Sequence, residues 1–349
     1  MAVSPHIAID AMGGDIGPAV MVAGMARARR KDRSLTFEVY GDESLIGPEL
    51  AKHQPLVSVV TVHHTTDAIG ASEKPSQAIR RAKTTSMGLA INAVKDGQAD
   101  AALSGGNTGA LMAMAKLALR TMPGIDRPAL AALLPTLGTT DCVMLDLGAN
   151  TECDAQNLVQ FAVMGSAYSR TVLGIAKPRV KLLNIGTEEL KGTDELKEAA
   201  ALLREATYLP LKFDGFTEGD KLSRGDIDVV VTDGFSGNIA LKTAEGTARF
   251  VTDLLRRAFT SSFRSKAGFA LSRPALNLLK THLDPNNHNG AVFLGLNGLV
   301  VKSHGGANYK GVANAIAVAA SMVRNDITRK IGGDLDEFRA HAFAGEAAE

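Results

Sequence analysis

The amino-acid sequence predicts an α/β protein in which one sheet lies between two layers of helices. Two observations predict this class. Short apolar runs alternate with longer stretches of helical periodicity, and the runs are nearly continuously apolar, as expected for strands covered on both faces. The predicted strands are residues 7–10, 37–41, 57–62, 101–103, 143–147, 180–185, 227–232 and 292–296, with a further apolar strand ending at Lys302.

The composition sets the size of the core and argues against one class of partner. With 349 residues, 45% of them hydrophobic, the chain can bury the core of one large domain or two small ones. The 38 basic and 37 acidic residues give a formal charge of +1, which argues against nucleic acid as a partner. No internal repeat or linker marks a boundary. Residues 1–332 are therefore predicted to form a single α/β domain, and residues 333–349 a frayed C-terminal tail.

Other features predict the compartment. Cys142 and Cys153 are too few for a disulfide framework or a zinc ligand set, which is typical of a reducing cytoplasm. The N-terminus lacks the order of a signal peptide, and no apolar run reaches the roughly 18 residues of a spanning helix. We therefore expect a soluble, cytoplasmic protein.

Glycine-rich turns follow several of the predicted strands. Gly13 and Gly14 come just after the first strand, where glycine allows a positive φ or a close approach of the backbone to a ligand. The alternative is a tight strand-to-helix turn with Asp15 as a cap. Ligands in α/β sheets bind outside the carboxyl ends of the strands. We therefore expect one rim to carry the polar side chains that follow the strands, namely Asp10, Asn107, Asp146, Asn184 and Asp233.

The order of these turns resembles one protein family, from about Pro5 to about Gly332. The segments that carry the resemblance are 13–15, 104–109, 124–130, 146–150, 160–165, 184–188, 191–192, 218–220, 233–238 and 301–305. In these segments the sequence resembles the PlsX family, the phosphate acyltransferases of bacterial phospholipid synthesis.

The resemblance implies an enzyme that moves a long-chain fatty acyl group from acyl carrier protein to inorganic phosphate and so forms an acyl phosphate. It also implies a Rossmann-like three-layer α/β/α sheet of the isopropylmalate-dehydrogenase-like and phosphotransacetylase architecture. A homodimer in peripheral contact with a membrane, or with a downstream membrane acyltransferase, is expected. No cofactor and no metal ion is expected.

The turn Ser104-Gly105-Gly106-Asn107-Thr108 runs directly into a helical pattern, so its backbone N–H groups would point at an anion. It lacks the lysine of a Walker A loop and the Gly-x-Gly-x-x-Gly fingerprint, so phosphate is favoured over a nucleotide. Such turns also occur without a ligand. The residues predicted to bind substrate or phosphate are Asp10, Gly13, Gly14, Ser104, Gly105, Gly106, Asn107, Thr108, Asn150, Asn184 and Asp233.

Four side chains are candidates for the chemistry. Lys191 and Asn238 are predicted to stabilise the oxyanion, and Lys191 also to hold the phosphate. A surface lysine and a helix-capping asparagine are the alternatives. His304 is the side chain best suited to titrate near neutral pH, and a structural or phosphate-binding role stays open. Asp146 would either orient Lys191 or satisfy nearby backbone donors.

Two weaker candidates are set aside. Cys153 could form an acyl-cysteine intermediate, but no histidine lies beside it in the sequence. His63, His64 and Asp67 suggest a metal, but no further ligand has a suitable spacing, and surface histidines explain the pattern.

The stretch from about 249 to 283 departs from the α/β alternation and predicts a protruding amphipathic helical hairpin. Gly268 and Pro274 are expected to break its helix. Its apolar face would pack against itself or a second subunit, or contact a membrane surface or the acidic carrier protein. The residues expected to make that contact are Leu254, Leu255, Arg256 and Arg257.

Three other functions compete with this interpretation. A phosphate acyltransferase could use a short acyl-CoA donor instead. A decarboxylating dehydrogenase would need clustered aspartates and arginines, which the sequence does not show. The third alternative is a membrane-docked scaffold without catalysis, supported only by the basic hairpin.

Overall fold

The computed structural model of the protein describes residues 3–15 and 17–346, and its strands form one mixed sheet. The strand order across the sheet is β3-β2-β1-β4-β11-β10-β5-β6-β9-β7-β8. The strands are β1 (His6–Asp10), β2 (Thr36–Gly41), β3 (Val60–His64), β4 (Ala101–Ser104), β5 (Ala129–Leu134), β6 (Cys142–Leu145), β7 (Arg179–Leu183), β8 (Lys212–Thr217), β9 (Val229–Val231), β10 (Ala291–Leu294) and β11 (Leu299–Lys302).

Helices cover both faces of this sheet, which confirms the predicted three-layer α/β/α class. Alternate residues of β1 enter different cores, because Ile7 and Ile9 belong to one buried cluster and Ala8 to the other. The helices are α1 (Pro18–Lys31), α2 (Glu43–Ala51), α3 (Gln54–Val57), α4 (Pro75–Ala78), α5 (Ser86–Lys95), α6 (Thr108–Leu119), α7 (Ala155–Tyr168), α8 (Asp194–Glu205), α9 (Gly234–Thr260), α10 (Phe263–Leu283), α11 (Tyr309–Arg324) and α12 (Ile327–Glu346).

The two halves of the sheet run in opposite directions. Strands β3, β2, β1, β4 and β11 are parallel to one another, and β6, β9, β7 and β8 form a second parallel set. Between them, β10 is antiparallel to both β11 and β5, and β5 is antiparallel to β6. The second set therefore points the opposite way to the first.

This reversal corrects the expectation of a single rim. The ends of β1 and β4 place Asp10 and Asn107 at one edge of the sheet, whereas the ends of β6, β7 and β9 place Asp146, Asn184 and Asp233 at the other. Along the strand direction the two edges are about 13 Å apart, because that is the length of a strand of four residues.

The first helix of the hairpin begins earlier than predicted, and the second helix is continuous. Helix α9 starts at the sheet and continues to Thr260, and Ser262 caps the start of α10 by accepting a hydrogen bond from the Ser265 N–H at 3.1 Å. Gly268 and Pro274 lie inside α10 rather than ending it, so that part of the prediction is wrong. No residue of α10 is buried, and the ring of Phe259 meets that of Phe269 edge to face.

The C-terminal segment is helical and packed, not frayed, as far as it is described. Residues 333–346 belong to α12, and Leu335, only 1% exposed, lies in the core. Asp334 forms an ion pair with Arg170, just beyond α7. Residues 347–349 lie outside the described residues. Within the described part of the chain, no helix is both long enough and apolar enough to cross a membrane.

Candidate active site

Asp10 holds the first glycine turn in place. Its buried carboxylate accepts hydrogen bonds from the backbone N–H groups of Met12 and Gly13, both at 3.2 Å. It also accepts from the hydroxyls of Ser86 at 2.7 Å and Ser104 at 2.6 Å. Burial raises the pKa of this carboxyl, while those four donors oppose the shift. Asp10 therefore positions the turn through four hydrogen bonds, and its predicted contact with substrate stays a prediction.

Three glycine turns meet at this edge of the sheet. A Cβ at Gly13 would lie 2.7 Å from the backbone nitrogen of Gly106, so only glycine allows the first and second turns to pack. Gly14, with φ of 102°, brings the third turn into contact, because a Cβ there would lie 3.1 Å from the carbonyl oxygen of Gly305. The predicted phosphate turns Gly13–Gly14 and Gly105–Gly106 are thus brought together.

The polar groups of the second turn are mostly engaged within the protein. Asn107 caps α6 by accepting from the Ala110 N–H at 3.0 Å, and its Nδ2 donates to the carbonyls of Ala71 and Glu73. Both polar atoms of its side chain, Oδ1 and Nδ2, are therefore already hydrogen-bonded within the protein. Thr108 is the first residue of α6, and Ser104 joins Asp10 to the Gly106 N–H. The backbone of this turn remains the better candidate for binding an anion.

His304 lies at the same edge and is held in one tautomer. Its Nδ1 accepts a hydrogen bond from the Gly306 N–H at 3.1 Å, which assigns the proton to Nε2. Its own backbone N–H donates at 2.8 Å to Asn289, and this buried amide also donates to Ser303 Oγ. Burial lowers the pKa of the imidazole. The side chain can therefore act as a neutral Nε2–H donor.

Sequence reasoning missed Lys302, the last residue of β11. Its Nζ donates to the carbonyl of Gly105 at 3.2 Å and to that of Ser303. Burial lowers the pKa of this ammonium to about 8. The only signal in the sequence was a lysine that ends an apolar strand immediately before the His304 turn.

At the opposite edge, Asp146 has the same structural role as Asp10. It is fully buried and accepts from the backbone N–H groups of Leu130 at 2.9 Å, Ala149 at 3.0 Å and Asn150 at 2.7 Å. Asn150 donates to Asp146 and to the carbonyl of Pro128, so it too is used internally. Burial raises the pKa of Asp146. Of the two roles left open for Asp146, its bonds support that of satisfying backbone donors.

The other predicted residues of this edge differ in availability. Asn184 accepts from the Ile185 N–H and donates to the Lys191 carbonyl, and Asp233 caps α9 through the Ser236 N–H at 2.8 Å. The ammonium of Lys191 pairs with Glu188 at 2.9 Å in an exposed loop. The exposed Asn238 lies against Gly148, and its side chain makes no hydrogen bond with the rest of the described chain.

Helix α9 connects the two edges. Asn238 and Lys242 are one turn apart on it, and so lie on the same side of the helix. The charge of Lys242 lowers the pKa of both Lys302 and His304, so Lys242 lies within electrostatic range of these two residues at the first edge. The first three turns of α9 therefore lead from Asn238 to the His304 turn. Among the described residues, no hydrogen bond or ion pair joins Asn107, Lys191 and Asn238 to one another.

The weaker candidates do not form sites. The pKa of Cys153 is raised to about 12, first by burial and then by the charges of Asp146 and Asp233, so its thiol is poorly suited to attack. His63 pairs with Glu38, and Asp67 pairs with Arg81. In the described ranges, no group of three or more histidine, cysteine, aspartate or glutamate residues could hold a metal ion.

The fold is that of the phosphotransacetylases. A phosphotransacetylase from Streptococcus pyogenes matches with a TM-score of 0.61 and 19% identity, covering 91% of this chain and 94% of that one. The EutD phosphotransacetylase from Staphylococcus aureus matches with a TM-score of 0.56 and 20% identity, with the same coverage. At these identities the likeness shows the fold alone.

The sequence comparisons are more specific. The model of a family described as "Fatty acid synthesis protein" matches residues 6–330. A phosphate acyltransferase of Erythrobacter litoralis is 66% identical over 95% of this chain and 94% of its own. One from Rhodospirillum rubrum is 50% identical over 96% and 95%. The chain therefore belongs to this family of fatty acid synthesis proteins, the PlsX family, and the resemblance seen in the sequence is confirmed.

Proposed function

We propose that this protein is a phosphate acyltransferase that moves a long-chain fatty acyl group from acyl carrier protein to inorganic phosphate, giving an acyl phosphate for phospholipid synthesis. The observation that carries the proposal is the near full-length relation to curated phosphate acyltransferases, at up to 66% identity among those compared. The glycine turns around His304 support it, because backbone without side chains allows an anion to approach closely at this edge of the sheet.

The reaction needs positioning and charge stabilisation more than proton removal. A phosphate oxygen, already anionic at neutral pH, attacks the thioester carbon and forms a C–O bond. The tetrahedral intermediate then collapses, the C–S bond breaks, and the carrier thiolate leaves with the electron pair and takes up a proton. Holding phosphate and thioester in one geometry removes most of the entropic part of the barrier.

His304 supplies a neutral donor beside the phosphate turns. Its Nε2–H can donate to the thioester oxygen as negative charge develops, or to the departing sulfur. A neutral imidazole can fill the first role because, with Nδ1 held by the Gly306 N–H, its Nε2–H polarises a carbonyl by hydrogen bonding without transferring the proton.

Asn238 and Lys191 are proposed as further donors to the thioester oxygen. Asn238 is the better placed of the two, since its amide is uncommitted and lies one turn from Lys242 on α9. Lys191 would have to leave Glu188 to take part, which an exposed ion pair allows at little cost.

The hairpin is proposed to dock the enzyme on an anionic membrane surface. Its apolar side chains are exposed, with Phe250 at 63%, Leu254 at 46% and Phe263 at 87%, and Arg256 and Arg257 lie near them. The same helices could instead meet a second copy, in the homodimer that the family resemblance suggests, or the acidic carrier protein. Co-sedimentation of a Leu254→Glu, Leu255→Glu variant with anionic vesicles, beside its oligomeric state by light scattering, distinguishes these partners.

One assay tests the reaction. Loaded acyl carrier protein and isotopically labelled phosphate are incubated with the enzyme, and the products are examined by mass spectrometry. We expect acyl phosphate that carries the label, formed faster from the carrier-protein donor than from acyl-CoA. A preference for acyl-CoA would support the short-donor alternative, and absence of acyl phosphate from either donor would overturn the proposal.

A further inference from the structure

Lys302 has a hydrogen-bonding capacity that the protein does not satisfy. An ammonium carries three donors, and the two bonds of Lys302 go to the carbonyls of Gly105 and Ser303. Within the part of the chain that the structure describes, it forms no ion pair with a carboxylate. One N–H and the full positive charge are therefore available to a ligand.

The surroundings of Lys302 explain why this charge matters. Burial lowers its pKa to about 8, because a desolvated ammonium without a counter-ion is unfavourable. The charged groups that act on it are Asp15 and Asp10, which favour the ammonium, and Lys242, which disfavours it. Asp10 is occupied by its four donors, and Lys242 pairs with Glu245 at 3.0 Å. A bound anion would supply the paired negative charge that Lys302 lacks among the described residues.

The geometry around Lys302 also fits a small anion. Its Nζ contacts the Gly105 turn, a Cβ at Gly305 would lie 3.5 Å from the carbonyl of Gly105, and the Gly14 turn packs on Gly305. A small cavity beside this junction is lined by Gly13, Gly14, Gly17, His304 and Gly305 together with the apolar Val20, Met21, Ala307 and Val312, and Lys302 is not among its lining residues. The glycines on one side of it leave the backbone open to close approach by a ligand.

We propose that Lys302 is the cation that binds the inorganic phosphate substrate, beside the three glycine turns and His304. This inference rests on the proposed function and deepens it. It assigns the phosphate to Lys302 rather than to Lys191, whose charge is paired with Glu188 at 2.9 Å in an exposed loop. The anion would then lie next to the Nε2–H of His304, as transfer to a nearby thioester requires.

Phosphate binding by the purified enzyme tests the assignment without turnover. Isothermal titration calorimetry with inorganic phosphate is expected to show affinity weakened by roughly 10- to 100-fold in Lys302→Met, the effect of losing one charged hydrogen bond. Lys302→Gln keeps a donor for the Gly105 carbonyl and should weaken phosphate similarly, since it lacks the charge. The control is Lys181→Met, which removes another partly buried strand lysine, one that is paired with Asp214.

A second variant changes the charge in the opposite direction. The carboxylate of Asp15 acts on Lys302 through space but forms no ion pair among the described residues. Asp15→Asn should therefore bind phosphate severalfold more tightly at pH 6, where Lys302 stays protonated, because a charge that repels the anion is removed. A merely structural role for Lys302 would not predict opposite effects from the two substitutions.

Labelling of the wild-type enzyme covers the case in which the Lys302 variants do not fold. At pH 8, acetic anhydride should modify Lys302 ahead of ordinary surface lysines, because more of it is neutral, and phosphate should protect it in peptide mass spectra. Phosphate binding unchanged in Lys302→Met, or labelling unaffected by phosphate, would overturn the inference alone. Failure of the wild type to form acyl phosphate would instead overturn the proposed function.

Discussion

Asp10 and Ser104 are paired in register on the neighbouring parallel strands β1 and β4, and the Ser104 hydroxyl donates to the Asp10 carboxylate at 2.6 Å. Both residues end their strands, so this bond joins the starts of two glycine turns. Ser104 Oγ in turn accepts from the Gly106 N–H at 3.0 Å. The arrangement of the two glycine turns is therefore fixed by a buried carboxylate and the serine hydroxyl that bonds to it.

Asp10→Ala should damage both stability and phosphate binding. The substitution leaves the Ser86 and Ser104 hydroxyls and two backbone N–H groups without their acceptor, and should cost about 3 kcal/mol. Ser104→Ala removes only one of those bonds and should cost about 1 kcal/mol. Urea unfolding measures both. Equal losses in the two variants would contradict the central role given to Asp10.

His304→Gln should lower kcat by roughly 100- to 1,000-fold, because a preorganised donor to the developing charge is lost. The KM for phosphate should change much less. Burial holds the pKa of His304 below its usual 6.5, so kcat at saturating phosphate should stay constant as the pH falls from 8 through 6.5 and decline only below that value. A decline centred above pH 6.5 in the kcat profile would contradict a neutral His304 donor.

Local sequence patterns predicted the fold class and the glycine turns, but not the direction of half of the sheet. Strand β5 is a run of alanine and leucine, residues that equally suit a helix, and β8 contains Asp214 and Gly215, which strands disfavour. Because β5 was missed, its antiparallel pairing with β10 and β6 could not be foreseen. The single rim expected from the sequence followed from that omission.

The sequence indicated which glycine turns pack together, but not which polar side chains beside them are free to bind a ligand. Aspartates and asparagines after strands suggest ligand contacts, yet Asp10, Asp146 and Asn150 are buried and consumed by hydrogen bonds of the protein itself. Whether a side chain is free depends on distant partners such as Ser86 for Asp10. The burial of Lys302 could not be predicted for the same reason, because the Gly105 turn covers it only when β11 pairs with β4.

The pH dependence of phosphate use should follow Lys302. In the free enzyme its ammonium loses the proton near pH 8, well below the usual 10.5, so kcat/KM for phosphate should fall as the pH rises through about 8. The charged or titratable groups that act on it are Asp15, Asp10, Lys242 and His304. Lys302→Gln should abolish this alkaline decline. Its persistence in that variant would assign it to another group.

Asn238→Ala should lower kcat by about 10- to 100-fold if its amide donates to the thioester oxygen. Asn238→Asp has nearly the same shape but carries a negative charge, so it should be slower still. Lys191→Ala should lower kcat by a smaller factor, because its ammonium must first leave Glu188. Initial rates of acyl-phosphate formation at saturating phosphate measure all three. Rates within about twofold of wild type would remove the residue concerned from the mechanism.

Arg170→Ala should destabilise the fold by about 3 kcal/mol at neutral pH, because it leaves Asp334 as an unpaired carboxylate in a site where both side chains are 15% exposed. Arg170 also donates to the Pro210 carbonyl at 3.1 Å, so it links α12 to the body of the protein. Burial already raises the pKa of Asp334, and loss of Arg170 should raise it further. The penalty should therefore be full above that raised pKa, shrink as the pH falls towards 3.8, and disappear below it, where the carboxyl is protonated in the folded and unfolded states alike. Urea unfolding midpoints between pH 4 and 7 test this for the wild type, for Arg170→Ala, and for the double variant that combines Arg170→Ala with Asp334→Asn. A penalty in the single variant that does not change with pH would show that packing, not charge, explains the loss.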